Sequence, residues 1–315
     1  MSKILKFDET IIYDTIIVGA GPAAVSSAIY AVRKGLKTAM IGEDIGGQIL
    51  DTNEIENIIG VPLTNGFDYA TELEKHMSEY EIYFYKGHRV KEIINDGNLK
   101  KIITDDNKEV LTKTIIIATG AKWRQLGIPG EKEYTGKGVH YCSTCDGPFY
   151  RNKDVIIVGG GNSGVEAAIE ISNIAKSVVL VEYMDELKAD KVLQDRLSTL
   201  ENVKIYLSTA VTEIIGNEYA EIAKLKNRHN SEEFELKMDG LFVEIGLSAN
   251  SDLVKGIVET NKASEILIDE MNMTSISGIF AAGDCTNTKH KQIIIAMGEG
   301  AKAALSAFEY VIKNY

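Results

Sequence analysis

Short apolar runs rich in β-branched residues alternate along this chain with longer amphipathic stretches. Residues 13–18, 22–34 and 38–41 predict a strand, a helix that opens on glycine, and a second strand. The same three elements recur at residues 155–158, 163–174 and 178–181. Strands that alternate with helices indicate parallel sheets covered on both faces, so the repeat predicts two copies of one supersecondary unit.

Other segments extend this pattern. Residues 114–118 and 278–282 predict strands that run into Thr119-Gly120 and Gly283-Asp284. Hairpin-like material at residues 83–90, 100–104 and 108–111 predicts a β insertion before the first of these strands. Residues 296–315 predict a long helix with small and apolar side chains on one face.

Both copies of the repeat carry a glycine-rich fingerprint between the first strand and the helix. Gly19 and Gly159 allow the tight turn, Gly21 and Gly161 let the backbone approach a pyrophosphate, and Ala24 and Gly164 permit close helix–strand packing. The helix N-terminus then offers free N–H groups to the phosphates. The neighbouring candidate binding residues are Pro22 in the first copy and Asn162 and Ser163 in the second.

Two fingerprints predict an α/β fold with two Rossmann-like, three-layer nucleotide-binding domains. We expect the second domain to be inserted in the first, which divides the chain into residues 1–121, 122–251 and 252–315. The middle part would bind the nicotinamide nucleotide, and the outer parts together would bind the other dinucleotide.

Composition narrows the classes of partner. The chain has 315 residues, 44% of them hydrophobic, with 34 basic against 46 acidic residues and a net charge of −12. This balance argues against nucleic acid and anionic membranes as partners, because both bind proteins through clustered Lys and Arg side chains. The N-terminus lacks a signal-peptide pattern and no apolar run has the length of a membrane span, so the expected location is cytoplasmic.

The candidate redox chemistry lies between the fingerprints, in Cys142-Ser143-Thr144-Cys145-Asp146. Such a pair forms a disulfide or, when reduced, a thiolate nucleophile. Zinc and two inert buried thiols are the alternatives, but the chain has no second cysteine pair, and the histidines show no metal-ligand spacing, so we expect no metal. Asp146 is a candidate proton carrier, or a helix cap or turn residue. Cys285 is expected to be a small packed residue.

Glu182 ends the second strand of the second copy, where a carboxylate binds the adenosine ribose and repels a 2′-phosphate. Tyr183 and Met184, which follow it, carry no guanidinium, although Lys188 could contribute a charge. The pattern therefore favours NADH over NADPH. An ordinary exposed carboxylate is the alternative interpretation of Glu182.

With these motifs in place, the chain resembles the low-molecular-weight thioredoxin reductases. It is closer still to the flavoprotein core of the flavin subunit of bacterial alkyl hydroperoxide reductase. The matching segments span nearly the whole chain: residues 46–52, 118–124, 145–148, 188–190, 283–286 and 291–296.

The resemblance implies FAD in the first cradle, and a homodimer. The residues that it places along FAD, beyond the first fingerprint, are Glu43, Gly46, Gly47, Gln48, Asn57, Thr119, Gly120, Gly283, Asp284, Gln292 and Ile293. It also implies that Cys145 is the sulfur nearer the flavin, that Cys142 attacks the partner's disulfide, and that Asp146 is the acid–base residue. A domain rotation with hinges near residues 122–127 and 246–251 would let dithiol and nicotinamide alternate at the flavin.

Two departures from the family refine the expected activity. NADPH-dependent thioredoxin reductases carry His-Arg-Arg where this chain has Glu182-Tyr183-Met184, which supports NADH. The hydroperoxide-reductase flavoprotein has N-terminal thioredoxin-like folds, whereas about a dozen residues precede the first strand here. The expected acceptor is therefore a separate thioredoxin- or glutaredoxin-like protein, or a peroxiredoxin met directly, in peroxide removal. The alternatives are a ferredoxin-dependent flavin thioredoxin reductase, an NADPH-dependent thioredoxin reductase, and a redox-sensing binding protein without turnover.

Overall fold

The computed structural model describes residues 2–52 and 55–315. Its strands, in chain order, are β1 (Leu5–Lys6), β2 (Tyr13–Val18), β3 (Thr38–Gly42), β4 (Tyr83–Lys86), β5 (Val90–Asp96), β6 (Leu99–Thr104), β7 (Glu109–Ile117), β8 (Ala121–Trp123), β9 (Val139–His140), β10 (Asp154–Val158), β11 (Ser177–Val181), β12 (Val203–Tyr206), β13 (Thr209–Gly216), β14 (Ala220–Asn227), β15 (Glu233–Lys237), β16 (Gly240–Val243), β17 (Leu247–Ala249) and β18 (Ile279–Ala281). Its α-helices are α1 (Pro22–Arg33), α2 (Gly66–Met77), α3 (Ser143–Asp146), α4 (Asn162–Ser172), α5 (Lys191–Leu197) and α6 (Ile293–Asn314).

The chain divides into two compact units. One comprises Met1–Lys122 with Ser248–Tyr315, and the other is Trp123–Leu247. The return to the first unit comes before residue 251 because Asn250 is tied to that unit. Its side chain donates a hydrogen bond to Thr119 O at 2.9 Å, and its backbone N–H donates to Gly120 O at 2.9 Å.

The first unit is built on a mixed sheet in the order β1-β4-β3-β2-β7-β6-β5, with β18 beside β7. The strands β1, β4, β3, β2, β7 and β18 pair in parallel, and β5, β6 and β7 form an antiparallel extension. The prediction that residues 83–90 belong to the β insertion is wrong for β4, because Tyr83 pairs in parallel with Ala39 of β3.

Both faces of this sheet are buried. Ile17 and Ile116 pack with α1 and α6 on one side, while Ile16 and Ile115 lie in the core of the other side. Helices α1 and α6 approach closely, since a Cβ on Gly300 would lie 2.2 Å from Ala23 O. Helix α6 therefore supports the helix that opens on the first glycine fingerprint. In the described part of the chain, no helix has the combined length and apolar character that crossing a membrane requires.

The second unit has a parallel sheet in the order β12-β11-β10-β16-β9. Ile157 and Phe242 on one face pack with Val165 of α4. Ile156 on the other face packs with Val211 and Leu225 of the antiparallel β13-β14-β15 sheet. Helices, parallel sheet and antiparallel sheet make three layers, as predicted, although the β13-β14-β15 sheet is not among the elements that the sequence predicts.

Candidate redox site and its dinucleotide cradles

The first glycine fingerprint forms an open cradle at the start of α1. Gly19 has a φ of +125°, and a Cβ there would lie 2.2 Å from Ala118 O, so the turn requires glycine. Gly21 is the N-cap of α1, and a Cβ added to it would have Gly46 O, at 3.8 Å, as its neighbour. The backbone is thus exposed where a phosphate would approach the helix N-terminus.

The second fingerprint repeats this geometry at the start of α4. Gly159 has a φ of +129°, and a Cβ there would lie 2.3 Å from Glu244 O. No atom lies within 4 Å of the position that a Cβ on Gly161 would take. A Cβ on Gly164 would lie 1.9 Å from Gly159 O, because helix and turn are in direct contact there. Two cradles of one design are present, one in each unit.

The Glu182 side chain is hydrogen-bonded to the second cradle. It is buried, its Oε2 accepts a hydrogen bond from the backbone N–H of Gly160, and its Oε1 accepts one from Met184 N–H at 2.6 Å. The alternative of an ordinary exposed carboxylate is therefore wrong. Lys188 is exposed and pairs with Glu186, while its backbone N–H donates to Gly160 O at 2.8 Å.

Sequence reasoning missed a guanidinium beside this position. The Arg228 guanidinium carbon lies 3.9 Å from the centroid of the Tyr183 ring, and Arg228 Nη1 donates to Tyr183 O at 2.8 Å. Arg228 directly follows β14, so the hairpin between β14 and β15 supplies it. No sequence signal near Tyr183 could have revealed it, because the two residues are 45 positions apart.

Several residues expected along FAD surround the first cradle. Gly46 and Gly47 have positive φ values of +111° and +57°, and Gly46 N–H donates to Ala20 O at 2.9 Å, which holds this segment against the cradle. Glu43, which directly follows β3, is exposed and lies 2.6 Å from the Arg89 guanidinium. The Gln48 side chain is half-buried at the start of a short 3₁₀ turn.

A second group of these residues lies at the start of α6 and after β18. Asn57 Nδ2 donates to Oε1 of Gln292, the N-cap of α6, at 3.0 Å, so Ile293 begins the helix beside Asn57. Gly283 N–H donates to Glu299 Oε2 at 2.7 Å. Burial raises the pKa of Asp284 to about 6, although Lys291 lowers it in part. This half-buried carboxyl group can accept a hydrogen bond from a polar ligand or, when protonated, donate one to it.

The dithiol is present as a Cys142–Cys145 disulfide, with the two Cα atoms 5.3 Å apart. Cys142 is the N-cap of α3, and its Sγ accepts a hydrogen bond from Cys145 N–H at 3.2 Å. The cluster of side chains that could hold a metal among the described residues is His88, Asp105 and Asp106, which contains no cysteine. The sulfur atoms of Cys142 and Cys145 are bonded to each other in this structure. Cys285 is buried and free, as expected.

Asp146 lies at the end of α3, within a polar chain. Its Oδ1 is 3.4 Å from His140 Nδ1, and His140 Nε2 is 2.7 Å from the Tyr150 hydroxyl. Asp146 occupies the N-cap position of the 3₁₀ helix Gly147–Tyr150, but its side chain makes no capping hydrogen bond there. The carboxyl group is instead oriented by a histidine next to the disulfide. Burial raises the pKa of Tyr150 well above its usual range.

Glu244 is a further residue that sequence reasoning missed. It follows β16, and its Oε1 accepts a hydrogen bond from Ser143 N–H, inside the cysteine motif, at 3.1 Å. Burial raises its pKa to about 7. Ser143 Oγ donates to Glu170 Oε2 at 3.2 Å, so two carboxyl groups contact the residue after Cys142. The disulfide and the second cradle thus meet at one edge of the parallel sheet.

Comparison with known proteins agrees with this geometry. The family model described as pyridine nucleotide-disulphide oxidoreductase matches residues 13–300. This chain belongs to that family. It is 47% identical over 309 residues to the F subunit of alkyl hydroperoxide reductase from Staphylococcus aureus, which covers 98% of this chain and 61% of the relative. The chain therefore spans about three fifths of the length of the curated relatives that it matches.

Solved structures place this oxidoreductase near thioredoxin reductases. The enzyme from Streptococcus pyogenes has a TM-score of 0.91 at 37% identity, and the match covers 96% of this chain and 99% of the other. Thioredoxin reductase from Giardia duodenalis has a TM-score of 0.91 at 29% identity, over 95% and 99% of the two chains. The predicted family resemblance and the predicted fold, with two Rossmann-like domains, are both confirmed.

Proposed function

We propose that this oxidoreductase takes electrons from NADH, by way of FAD and the Cys142/Cys145 dithiol, and reduces the disulfide of a separate thioredoxin- or glutaredoxin-like protein. One observation carries the proposal. Glu244 contacts both the disulfide motif, through Ser143 N–H, and the turn at Gly159, so the second cradle and the Cys142–Cys145 disulfide share one edge of one sheet. A nicotinamide nucleotide and a disulfide are the two substrates that the family description joins.

The first cradle fits FAD. Open backbone at Gly21 and the N-terminus of α1 would hold the pyrophosphate, and Glu43, at the end of β3, would hold the adenosine ribose. The Asn57–Gln292 pair, Thr119, and Asp284 would lie along the rest of the molecule. When bound, FAD supplies the two-electron chemistry that connects a nicotinamide to a disulfide. The residues of this chain bind and orient it.

Glu182 supports the choice of NADH. Its carboxylate is held by the N–H groups of Gly160 and Met184, which aims a negative charge at the place where the ribose hydroxyl groups of NADH would lie. A 2′-phosphate would meet this charge at short range. Asn162, Ser163 and Lys188 would complete the nucleotide site.

Asp146 is the proposed proton carrier for the dithiol. Opening the disulfide leaves a thiol and a thiolate, and the proton of the thiol has to come from a nearby acid. Asp146 directly follows Cys145, and His140 holds its carboxyl group in place. In this proposal Cys145 is the sulfur nearer the flavin, and Cys142 attacks the disulfide of the partner.

The partner proposal rests on the relatives. The similarity to a component of alkyl hydroperoxide reductase suggests a role in peroxide removal, with the small redoxin passing electrons to a peroxiredoxin, or with a peroxiredoxin met directly. A homodimer and a cytoplasmic location belong to the same proposal. Analytical ultracentrifugation of the FAD-loaded protein tests the dimer.

The decisive experiment is anaerobic stopped-flow reduction of the FAD-loaded chain by NADH, followed by addition of a thioredoxin-like protein and, separately, a peroxiredoxin. We expect flavin bleaching by NADH and reduction of an added redoxin. Cys145→Ser should keep the bleaching and lose the disulfide reduction, whereas Cys285→Ser, at the buried free thiol, serves as the control. Full redoxin turnover by Cys145→Ser would contradict the proposal, and absence of turnover in the wild type would favour a redox-sensing role.

An NADPH-dependent thioredoxin reductase is the second candidate. The observation in its favour is Arg228, whose guanidinium lies over the Tyr183 ring and could contact a 2′-phosphate. Titration of the oxidised flavin with each nucleotide separates the two. The open glycine turn of the second cradle argues against a ferredoxin-dependent enzyme, because such an enzyme does not need a nicotinamide site.

A further inference from the structure

Glu244 lies between the disulfide and the second cradle. Its backbone O is the atom that a Cβ on Gly159 would meet at 2.3 Å, and its side-chain Oε1 accepts Ser143 N–H at 3.1 Å. Ser143 directly follows Cys142, whose Sγ is turned back toward Cys145 N–H at 3.2 Å. A carboxyl group therefore lies one hydrogen bond away from the cysteine motif, on the side of α3 that contacts the end of β16.

The surroundings of Glu244 make its charge variable near neutral pH. Its pKa is raised to about 7, mainly by burial and partly by the like charge of Glu170 on α4, against the hydrogen bonds from Ser143. Further titratable groups on the neighbouring elements are Glu166 on α4 and His140 on β9, which pairs with Asp146 of α3. The two forms of Glu244 are therefore both populated in the working range of a dithiol.

We propose that Glu244 is a positioning residue whose ionisation controls the reactivity of the Cys142 thiolate. This rests on the proposed function in one respect, which is that Cys142 and Cys145 form the reactive dithiol. When a reductant delivers two electrons, the S–S bond breaks, one sulfur takes a proton and the other remains a thiolate. A thiolate on Cys142 is a negative charge next to Ser143. Neutral Glu244 accepts the Ser143 hydrogen bond without opposing that charge, whereas ionised Glu244 raises the pKa of the Cys142 thiol.

The test compares Glu244→Gln with Glu170→Gln. Glutamine keeps an oxygen for Ser143 N–H but cannot ionise, and Glu170 is the matched control because it contacts the same serine from an exposed position. The FAD-loaded full chain is reduced without air by a water-soluble phosphine, which becomes its oxide. Alkylation of Cys142 by iodoacetamide is then followed by mass spectrometry from about pH 5 to 9.

We expect Glu244→Gln to alkylate about threefold to tenfold faster than the wild type at about pH 8, where the wild-type carboxyl group is ionised. Below about pH 6 the two should converge, because Glu244 is then neutral in the wild type. Glu170→Gln should change the rate by about twofold or less. Superimposed profiles for wild type and Glu244→Gln, or equal acceleration by Glu170→Gln, would overturn the proposal.

A second measurement uses the wild type and does not depend on how well the variant folds. Infrared difference spectra, reduced minus oxidised, are recorded with Asp146→Asn as a parallel sample, which removes the carboxyl group of the proposed proton carrier. Both should show a gain of protonated carboxyl signal near neutral pH, since the new thiolate favours neutral Glu244. No gain in this signal would also overturn the proposal. The phosphine reduces the disulfide directly, without NADH or a redoxin. If NADH fails to reduce the flavin, or the protein fails to reduce a redoxin, the proposed function is contradicted, but the alkylation and infrared results still test the role of Glu244.

Discussion

The Glu182 side chain accepts a hydrogen bond from the backbone N–H of Gly160, in the middle of the second glycine fingerprint. The carboxylate also accepts Met184 N–H at 2.6 Å, so it fixes the turn that opens α4 as well as the end of β11. One side chain therefore holds the turn of the second cradle and, in the proposed function, also faces the nucleotide. Exchanging Glu182 for a phosphate-binding residue would disturb the cradle itself.

Glu182→Ala should lower the free energy of unfolding by about 1–3 kcal/mol, because the buried N–H of Gly160 and the partly buried N–H of Met184 lose their acceptor. The same variant should bind NADH more weakly. Urea unfolding and nucleotide titration measure the two effects. Glu43→Ala, at the corresponding strand end of the first unit, is the control, since its carboxylate is exposed and pairs with Arg89. Equal stability of Glu182→Ala and wild type would refute the structural role.

Substitutions at two glycines of the second cradle should affect different properties, one nucleotide binding and the other stability. Gly161→Ala should fold normally, because its φ is −80° and no atom lies within 4 Å of the added Cβ. It should weaken nucleotide binding about tenfold, since the methyl group occupies the space that the phosphate approaches. Gly164→Ala should lower the free energy of unfolding by about 1–3 kcal/mol, because its Cβ would lie 1.9 Å from Gly159 O. Thermal unfolding and isothermal titration distinguish them, and a stable Gly164→Ala would contradict the packing argument.

Local patterns in the sequence predict the cradles and the dithiol well, since each depends on residues within one strand–turn–helix unit. Glu244 and Arg228 could not be predicted in this way. Glu244 reaches Ser143 across 101 positions and Arg228 reaches Tyr183 across 45, through strand pairing that no local spacing encodes. The assignment of β4 failed for a related reason, because alternation identifies a strand but does not identify its neighbour.

Arg228→Ala tests which nucleotide the hairpin favours. If the guanidinium contacts a 2′-phosphate, the variant should raise KM for NADPH about tenfold to a hundredfold and KM for NADH about twofold or less, since a charge-assisted hydrogen bond contributes about 1.5–3 kcal/mol. Steady-state flavin reduction with both nucleotides measures this. Lys226→Ala, on the same hairpin and paired with Glu233, is the matched control. Equal effects on both nucleotides would show that Arg228 only supports the Tyr183 ring.

Asp284 should make stability depend on pH. Burial raises its folded-state pKa from 3.8 to about 6, so the folded protein binds this proton more tightly than the unfolded chain does. The resulting stability is fully present below the unfolded-state pKa of 3.8 and is lost as the pH rises through about 6. Above that pH, a charged carboxylate lies in a half-buried site, at a cost of about 1–2 kcal/mol after allowance for screening by Lys291 and water.

Asp284→Asn should therefore raise the free energy of unfolding of the FAD-free protein by about 1–2 kcal/mol at pH 7.5, and this gain should disappear near pH 4. Urea unfolding at a series of pH values measures it. Asp252→Asn is the control, because Asp252 is exposed in the same unit and should show no such pH-dependent gain. A gain of equal size at both pH values would mean that the amide stabilises through new hydrogen bonds and not through removal of a buried charge.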